Sequence, residues 1–299
     1  MKEYSITEQF ALVALDGQNS EHNTVAKKVA VRGIAMAEVL QKICSEISKE
    51  HISEASSFLN TRIQEIQKMK KNERNQKEQE ITRVLMEENV LFKIPDLLGC
   101  DMDFQTSGVN MWQYKCDEEE YLRITESVRA EILEPGDVSA ETICLLYLFR
   151  ECGCMHDIFC IKEQEFIKQR LIELMAKEPL YKIILETEFH SGAGNAYVLF
   201  VKKKHRLFQN PYLQGVNLAF PFFDRRQAIF IDMITLGTTP ADRRRAVMQI
   251  LREKGHCCEE VLRGEEYLLK IDNSYYKVWP YARKYQVSVQ GVELRPVYQ

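Results

Sequence analysis

The spacing of apolar residues changes once along this chain, and this change constrains the fold more than any other feature. Up to about residue 178, apolar positions recur with the period of an amphipathic helix. Beyond Glu178-Pro179, short apolar runs are separated by glycine, asparagine and proline clusters, a pattern typical of strands. We therefore predict a mainly α-helical domain with one β-hairpin over residues 1–178, followed by a smaller α+β domain over 179–299.

Helix signals are strong in the first half. Ser5 and Glu8 form a capping-box pattern before an apolar run, and the segment 25–48 carries a wide apolar stripe with small residues that allow close packing. The segment 58–88 predicts one long helix, whose wholly polar middle, Lys70 to Glu80, projects or bends. These helices should supply the core of the first domain.

A β-hairpin is predicted where the helical period stops, after Asn89. Apolar residues lie on both sides of a Thr106-Ser107-Gly108 turn, and we expect them to contact a membrane, another subunit or the protein's own helices. The candidate contact residues are Phe104, Val109, Met111 and Trp112.

The second domain is predicted to contain one helix among strands. Thr239-Pro240 opens the helix, which covers residues 241–254. The predicted strands are 181–189, 196–201, 216–220, 228–234, 267–271, 275–279 and 285–289.

Charge and hydropathy restrict the function classes. From Tyr181 onward the chain has 18 basic and 12 acidic residues, a balance of +6, whereas the whole chain is −4, so residues 1–180 carry −10. No window has the roughly 18 uncharged apolar residues of a membrane-spanning helix, and the N-terminus has no signal-peptide pattern. We expect a cytoplasmic protein, with peripheral attachment to the inner membrane surface as an open alternative.

Two kinds of side chain that bind metals or act in catalysis, cysteine and histidine, occur close together in the sequence. Cys152, Cys154, His156 and Cys160 lie within nine residues, but structural zinc sites usually have two or more residues between paired cysteines. The nine cysteines of the chain are better explained as reduced, packed side chains. The sequence has no Walker loop, Gly-x-Ser-x-Gly elbow or zincin motif, so we expect no enzyme, cofactor or metal site.

Basic runs in the second domain offer a different class of function. Lys202 to Arg206, Arg225-Arg226 and Arg243 to Arg245 are interleaved with aromatic residues, as in surfaces that bind nucleic acid or anionic lipid. The same runs are also typical of solvated strand ends and helix faces. We treat nucleic acid as the less favoured partner.

Several motifs of the first half resemble the Golgi phosphoprotein 3 family. They are the helix Ile6 to Asp16, the Val31-Arg32-Gly33 step followed by Ala37-Glu38-Val39-Leu40, the junction Arg83 to Leu91 and the core helix around Leu145-Leu146-Tyr147-Leu148. The resemblance covers about 170 residues by the order of elements. It implies a mainly helical domain that binds phosphatidylinositol 4-phosphate at membrane surfaces, connects membranes to protein partners and has no catalytic activity.

The resemblance also implies a headgroup pocket. Arg32 matches the family's arginine of the Arg-Gly step, and Arg74 and Lys77 keep the spacing of three that the family's paired arginines have on a later helix. His22 lies beside the position of the family's tryptophan. The family's hairpin mediates contact with lipid or with another subunit, so a homo-oligomer through the hairpin is an expectation as well.

Three positions depart from the family's pattern. Asn23 stands at the tryptophan position, and Asn75 and Glu78 stand where the paired arginines fall in direct register. Replacing an arginine by Glu removes a charge-assisted contact to phosphate and adds repulsion. The leading hypothesis is thus an anionic-lipid-binding or adaptor protein, and the alternative is a regulatory protein that binds protein or nucleic acid through its basic C-terminal domain.

Overall fold

The structure is a computed structural model that describes residues 3–20, 25–46, 52–102, 111–189, 228–284 and 288–297. Helices dominate the first half. They are α1 (Ile6–Leu15), α2 (Val25–Glu46), α3 (Ile52–Lys68), α4 (Lys71–Glu87), α5 (Glu118–Leu133), α6 (Ala140–Cys152), α7 (Met155–Ile158), α8 (Ile161–Lys177) and α9 (Pro179–Glu186). One later helix, α10, covers Pro240–Glu253.

The strands form two antiparallel sheets. They are β1 (Leu91–Pro95), β2 (Trp112–Cys116), β3 (Ile229–Asp232), β4 (Cys258–Arg263), β5 (Glu266–Ile271), β6 (Ser274–Lys284) and β7 (Ser288–Val297). The pair β1–β2 forms a small hairpin-like sheet, and the other five strands form one sheet in the order β3-β7-β6-β5-β4. The predicted fold class, a mainly helical domain with a β-hairpin followed by an α+β domain, is confirmed.

The first hydrophobic core is built around α1, α2 and α6. The Ser5–Glu8 capping box forms as predicted, and α1 is buried along almost its whole length. A Cβ atom on Gly33 would lie 2.6 Å from the Phe10 ring and from Cys152 Sγ, so only glycine lets these helices approach so closely. The Arg-Gly step of the sequence is therefore a packing feature as well as a candidate site.

One predicted long helix is two helices in the structure. The chain leaves the helical conformation at Met69 and Lys70, and α4 starts afresh with Glu73 accepting a hydrogen bond from the backbone N–H of Lys70 at its N-terminus. The single long helix predicted over 58–88 is thus interrupted at the start of its polar middle, where a bend was one of the two expected outcomes. The break brings the end of α3 beside α2.

The predicted strand over 181–189 was also wrong. Pro179 occupies the first turn of α9, and Ile184 and Leu185 are buried in the first core together with Phe189. The short aromatic and β-branched run looked like a strand, but a short apolar segment does not distinguish a buried helix from a strand. The predicted strands over 196–201 and 216–220 lie outside the described residues.

The second core lies between the five-stranded sheet and α10. Its helix begins after Thr239, which forms a capping box with Asp242, as the sequence indicates. Leu97 and Cys100, from the 3₁₀ helix Leu97–Cys100 that follows β1, belong to this core although they precede it by more than a hundred residues. The domain boundary at residue 178 stays a prediction.

Polar contacts join the two cores at the β5–β6 turn. Asn273 Nδ2 donates hydrogen bonds of 2.9 Å to Asp16 Oδ1 and to the Cys116 carbonyl oxygen. Asp272, whose φ is +52°, forms an ion pair with Lys115 at 3.4 Å. This turn fixes the sheet against β2 and the end of α1.

Candidate functional site

Three cationic side chains of α2 and α4 lie together at the C-terminal end of α3. Lys28 and Arg32 are four residues apart on α2, so they share one face of that helix. Arg74 comes from the first turn of α4. Lys28, Arg32 and Arg74 are named here the cationic cluster.

The helix break explains why the cluster forms at this place. Arg32 Nη2 donates a 2.8 Å hydrogen bond to the Gln67 carbonyl oxygen, and Arg74 Nη1 donates to the Met69 carbonyl oxygen. Gln67 lies in the last turn of α3 and Met69 directly follows that helix, so both carbonyls lie where the helix dipole contributes about half a negative charge. The end of α3 therefore attracts the two guanidinium groups.

The three cations repel one another. Burial, followed by the positive charges of Arg32 and Arg74, lowers the pKa of Lys28. Burial, followed by the charge of Arg74, lowers the pKa of Arg32. An anion placed between these three like charges would reduce their repulsion.

Lys77 lies on the same helix as Arg74 but is engaged elsewhere. Its Nζ lies 3.0 Å from both carboxylate oxygens of Glu38 and 3.6 Å from Glu80 Oε2. The structure thus brings together Arg32 and Arg74 of the predicted headgroup residues, and it places Lys77 in an ion-pair network beside them. His22 and Asn23 lie outside the described residues.

Glu78 has a structural partner that accounts for its presence. Its Oε1 lies 2.8 Å from Lys27 Nζ and accepts a 2.9 Å hydrogen bond from the Tyr114 hydroxyl. Both members of the ion pair are buried. Glu78 therefore neutralises the buried Lys27 of α2.

Beside the cluster, α2, α3 and α4 surround an open groove of about 560 Å³. Phe58, Ile66 and Met69 contribute its apolar lining. Its charged lining is mixed, with Glu38, Glu65 and Glu73 among Lys42, Arg62, Lys68 and Lys77. The charged lining of the groove is therefore nearly neutral, whereas the cationic cluster brings three positive side chains together.

The predicted hairpin residues have different surroundings. Met111 is buried, and its carbonyl oxygen accepts a hydrogen bond from the Asp96 backbone N–H. Trp112, the first residue of β2, is 40% exposed. Phe104, Val109 and the predicted turn lie outside the described residues, and β2 pairs with β1 in the register Leu91 to Cys116 and Pro95 to Trp112.

The cysteine candidates pack into the fold, whereas His156 is exposed. Cys152 Sγ faces the Val29 carbonyl oxygen at 3.9 Å, and Cys154 is buried. His156 contacts Gln164 instead of a cysteine. Within the described residues, no group of three or more His, Cys, Asp and Glu side chains is arranged to hold a metal ion.

His256 and Asp272 form a buried pair in the second core. The distance from His256 Nδ1 to Asp272 Oδ2 is 2.9 Å, and the Cys257 backbone N–H also donates to this carboxylate. The His256 side chain is fully buried. The imidazole therefore helps to hold the β5–β6 turn in place. Because it is fully buried, it does not contact solvent in the described structure.

Sequence reasoning missed Lys28 and the role of Lys27. The signal for Lys28 was available, because it precedes Arg32 by four residues on a helix. The burial of Lys27 depends on Tyr114 and Glu78, which lie far away along the chain, and could not be predicted from α2 alone.

Among the helices of the described residues, none has both the length and the apolar character required to cross a membrane. Comparison of the chain with known protein families, curated proteins and solved structures gives no match.

Proposed function

We propose that this protein is a non-enzymatic peripheral-membrane or adaptor protein that binds anionic lipid headgroups through the cationic cluster. The observation that carries the proposal is the convergence of Lys28, Arg32 and Arg74 from two helices, where burial, followed by mutual repulsion, lowers the pKa of Lys28 and Arg32. A phosphate bound between them would relieve this repulsion.

The chemistry of the cluster suits a phosphate group. Guanidinium groups donate charge-assisted hydrogen bonds to phosphate oxygens, and an ammonium group adds a mobile point charge. The hydrogen bonds of Arg32 to the Gln67 carbonyl oxygen and of Arg74 to the Met69 carbonyl oxygen hold each guanidinium at a fixed place, which lowers the entropy lost on binding.

Phosphatidylinositol 4-phosphate is the headgroup that we propose first. This choice comes from the family resemblance, and the pairing of Arg32 with Arg74 supports it because both were expected to hold the same headgroup. Other anionic lipids share the phosphate chemistry, so the experiment must separate them. The adaptor role and the homo-oligomer through the hairpin remain part of the proposal, with exposed Trp112 as the described contact residue.

Vesicle co-sedimentation tests the proposal. Neutral vesicles, vesicles with phosphatidylserine and vesicles with phosphatidylinositol 4-phosphate are compared at two salt concentrations, with Lys28→Gln, Arg32→Gln and Arg74→Gln beside the wild type. We expect each variant to bind phosphoinositide vesicles about fivefold more weakly, since one cation near an anionic surface contributes about 1 kcal/mol. Higher salt should weaken binding by the wild type.

Lys77→Gln is the matched control. It removes one positive charge from the same helix as Arg74, but from a lysine paired with Glu38. Its binding should stay close to that of the wild type, and thermal unfolding verifies that all variants are folded. Failure of the wild type to sediment with any vesicle at low salt contradicts the proposal. Equal loss in Lys77→Gln would assign binding to overall charge instead of to the cluster.

A second candidate function rests on the middle strand of the sheet. The alternate residues Tyr275, Lys277, Trp279, Tyr281 and Arg283 lie on one face of β6. Trp279 and Tyr281 are 42% and 39% exposed, and aromatic side chains flanked by cations are typical of surfaces that stack single-stranded nucleic acid. This candidate ranks second because Lys277 is paired with Glu266, which reduces the excess positive charge.

Tryptophan fluorescence tests this second candidate. The chain has two tryptophans, so Trp112→Phe leaves Trp279 as the reporter. If the strand stacks bases, single-stranded RNA or DNA should quench its emission, and Tyr281→Ala should weaken binding. Unchanged emission at low salt would leave the sheet without a role in nucleic-acid binding.

A further inference from the structure

Two cysteines from different helices meet beside the first core. Cys44 lies near the C-terminal end of α2, and Cys144 lies in α6. Their sulfur atoms are 3.5 Å apart, and the two thiols share a hydrogen bond. A disulfide needs about 2.05 Å between the sulfurs, so closure requires a displacement of only about 1.5 Å.

The two thiols differ in exposure. Cys44 is half-buried, whereas Cys144 is buried. The hydrogen bond with Cys144 lowers the pKa of Cys44 against the opposing effects of burial and of Glu141. The same hydrogen bond, followed by burial, raises the pKa of Cys144. The thiolate therefore forms on the sulfur that a small oxidant reaches more easily.

We propose that Cys44 and Cys144 are a reversible oxidation site, at which peroxide reacts with Cys44 and Cys144 then closes a disulfide between α2 and α6. The ligand class is a small hydroperoxide, with hydrogen peroxide as the simplest member. The inference is independent of lipid binding, because it concerns the opposite end of α2 from Lys28.

Each step balances in atoms and electrons. The Cys44 thiolate attacks one oxygen of hydrogen peroxide, so an S–O bond forms, the O–O bond breaks and hydroxide leaves. The Cys144 sulfur then attacks the Cys44 sulfenic acid, the S–S bond forms, and the S–O bond breaks with release of water. The hydroxide takes up the proton that Cys44 lost on ionisation. Two thiols and one peroxide thus give one disulfide and two waters.

The product would fasten two central helices to each other. Cys44 and Cys144 are 100 residues apart in sequence, so the disulfide closes a long loop and restricts the unfolded chain. We expect the oxidised protein to melt several degrees above the reduced protein. Dithiothreitol should return both thiols and the lower melting temperature.

Peptide mapping of the oxidised full chain tests the proposal. The protein is treated with increasing hydrogen peroxide, alkylated, digested without reduction and analysed by mass spectrometry. We expect the peptide that links Cys44 to Cys144 to appear at a lower peroxide concentration than any other disulfide. Cys152 and Cys154 are the matched internal control, because they are two residues apart and their thiols face carbonyl oxygens.

Two variants separate the roles of the thiols. In Cys144→Ser, Cys44 should stop at the sulfenic acid, which dimedone traps. In Cys44→Ser, Cys144 should stay reduced. Should either variant fail to fold, the rates of thiol alkylation in the native wild type test the proposed reactivity of Cys44. Cys44 should then react faster than Cys160, which is also half-buried. Absence of the Cys44–Cys144 peptide at peroxide concentrations that oxidise Cys160 overturns the proposal.

Discussion

Lys27 and Lys28 are consecutive residues of one helix, yet their surroundings are opposite. Lys27 points inward and is held by the Glu78 carboxylate and the Ser20 carbonyl oxygen, each at 2.8 Å. The pKa of Lys28 is lowered by burial and then by the positive charges of Arg32 and Arg74. One lysine is thus stabilised by an anion of the protein, and the other increases a local excess of positive charge.

The difference shows how burial decides the role of a charge. A buried ammonium group loses its hydration and must find an internal counter-charge, since an uncompensated charge in the core is strongly destabilising. A partly exposed ammonium group keeps its water and tolerates neighbouring cations. The same helix can therefore supply a structural cation and a candidate binding cation at adjacent positions.

The largest expected effect comes from removing the counter-charge of Lys27. Glu78→Ala should lower the free energy of unfolding by about 3 to 5 kcal/mol, because it leaves the buried ammonium without this carboxylate and also removes the acceptor of the Tyr114 hydroxyl. Urea denaturation followed by circular dichroism measures the change.

Glu38→Gln is the control for this variant. Glu38 pairs with the more exposed Lys77, so its loss should cost less than about 1 kcal/mol. The double variant Lys27→Met with Glu78→Leu should regain much of the stability lost in Glu78→Ala. Equal effects of Glu78→Ala and Glu38→Gln would show that burial does not distinguish the two pairs.

The cationic cluster also shows what the sequence could predict about the site. Arg32 and Arg74 were expected together from the resemblance, and their shared contact with the end of α3 accounts for it physically. Lys77 was expected beside them, but the three-residue step from Arg74 carries its side chain to Glu38 on α2. A step along a helix is known from the sequence, whereas the partner on a neighbouring helix depends on packing.

Local signals predicted the elements well and their connections less well. The caps at Ser5 and Thr239 were correct because a cap depends only on residues within one turn. The exact place of the break at Met69-Lys70 and the helical state of 179–186 depend on packing against α2 and α6, which no local pattern contains. The Cys44–Cys144 contact across 100 residues was beyond prediction for the same reason.

An ion pair of intermediate burial should give an intermediate effect. Arg129 binds both carboxylate oxygens of Glu163, at 3.1 and 2.7 Å, and its Nη1 also donates to the Ile158 carbonyl oxygen. Glu163→Gln should lower the free energy of unfolding by about 1 to 2 kcal/mol at neutral pH. Glu165→Gln, two residues along the same helix, is the control for a change of net charge.

The effect of Glu163→Gln on the free energy of unfolding should depend on pH. The hydrogen bond from Arg129 lowers the pKa of Glu163 below its ordinary value of 4.5 in the folded state. The ionised carboxylate therefore contributes its full stabilisation above pH 4.5, and the contribution decreases as the pH falls through the folded-state pKa. The difference between wild type and variant should shrink accordingly, and a pH-independent difference would contradict the ion-pair explanation.

The smallest effect should come from Lys28, and its sign is opposite. Burial and the neighbouring cations lower its pKa in the folded state, so the unfolded chain binds the proton more tightly and charged Lys28 costs stability at neutral pH. Lys28→Gln should therefore raise the free energy of unfolding by about 0.5 kcal/mol or less. Thermal unfolding at several pH values, with Lys42→Gln as the control on the same helix, measures it.

Alkaline pH sharpens the contrast with Lys27. As the pH rises from the lowered folded-state pKa of Lys28 toward its ordinary value of 10.5, the wild type loses the repulsive charge and its deficit against Lys28→Gln should disappear. Lys42→Gln, at an exposed position of α2, is compared at the same pH values. If Lys28→Gln is instead less stable than the wild type at neutral pH, an anionic group of the protein already neutralises the charge of the cluster. That result would contradict the proposal that the cluster binds an external headgroup.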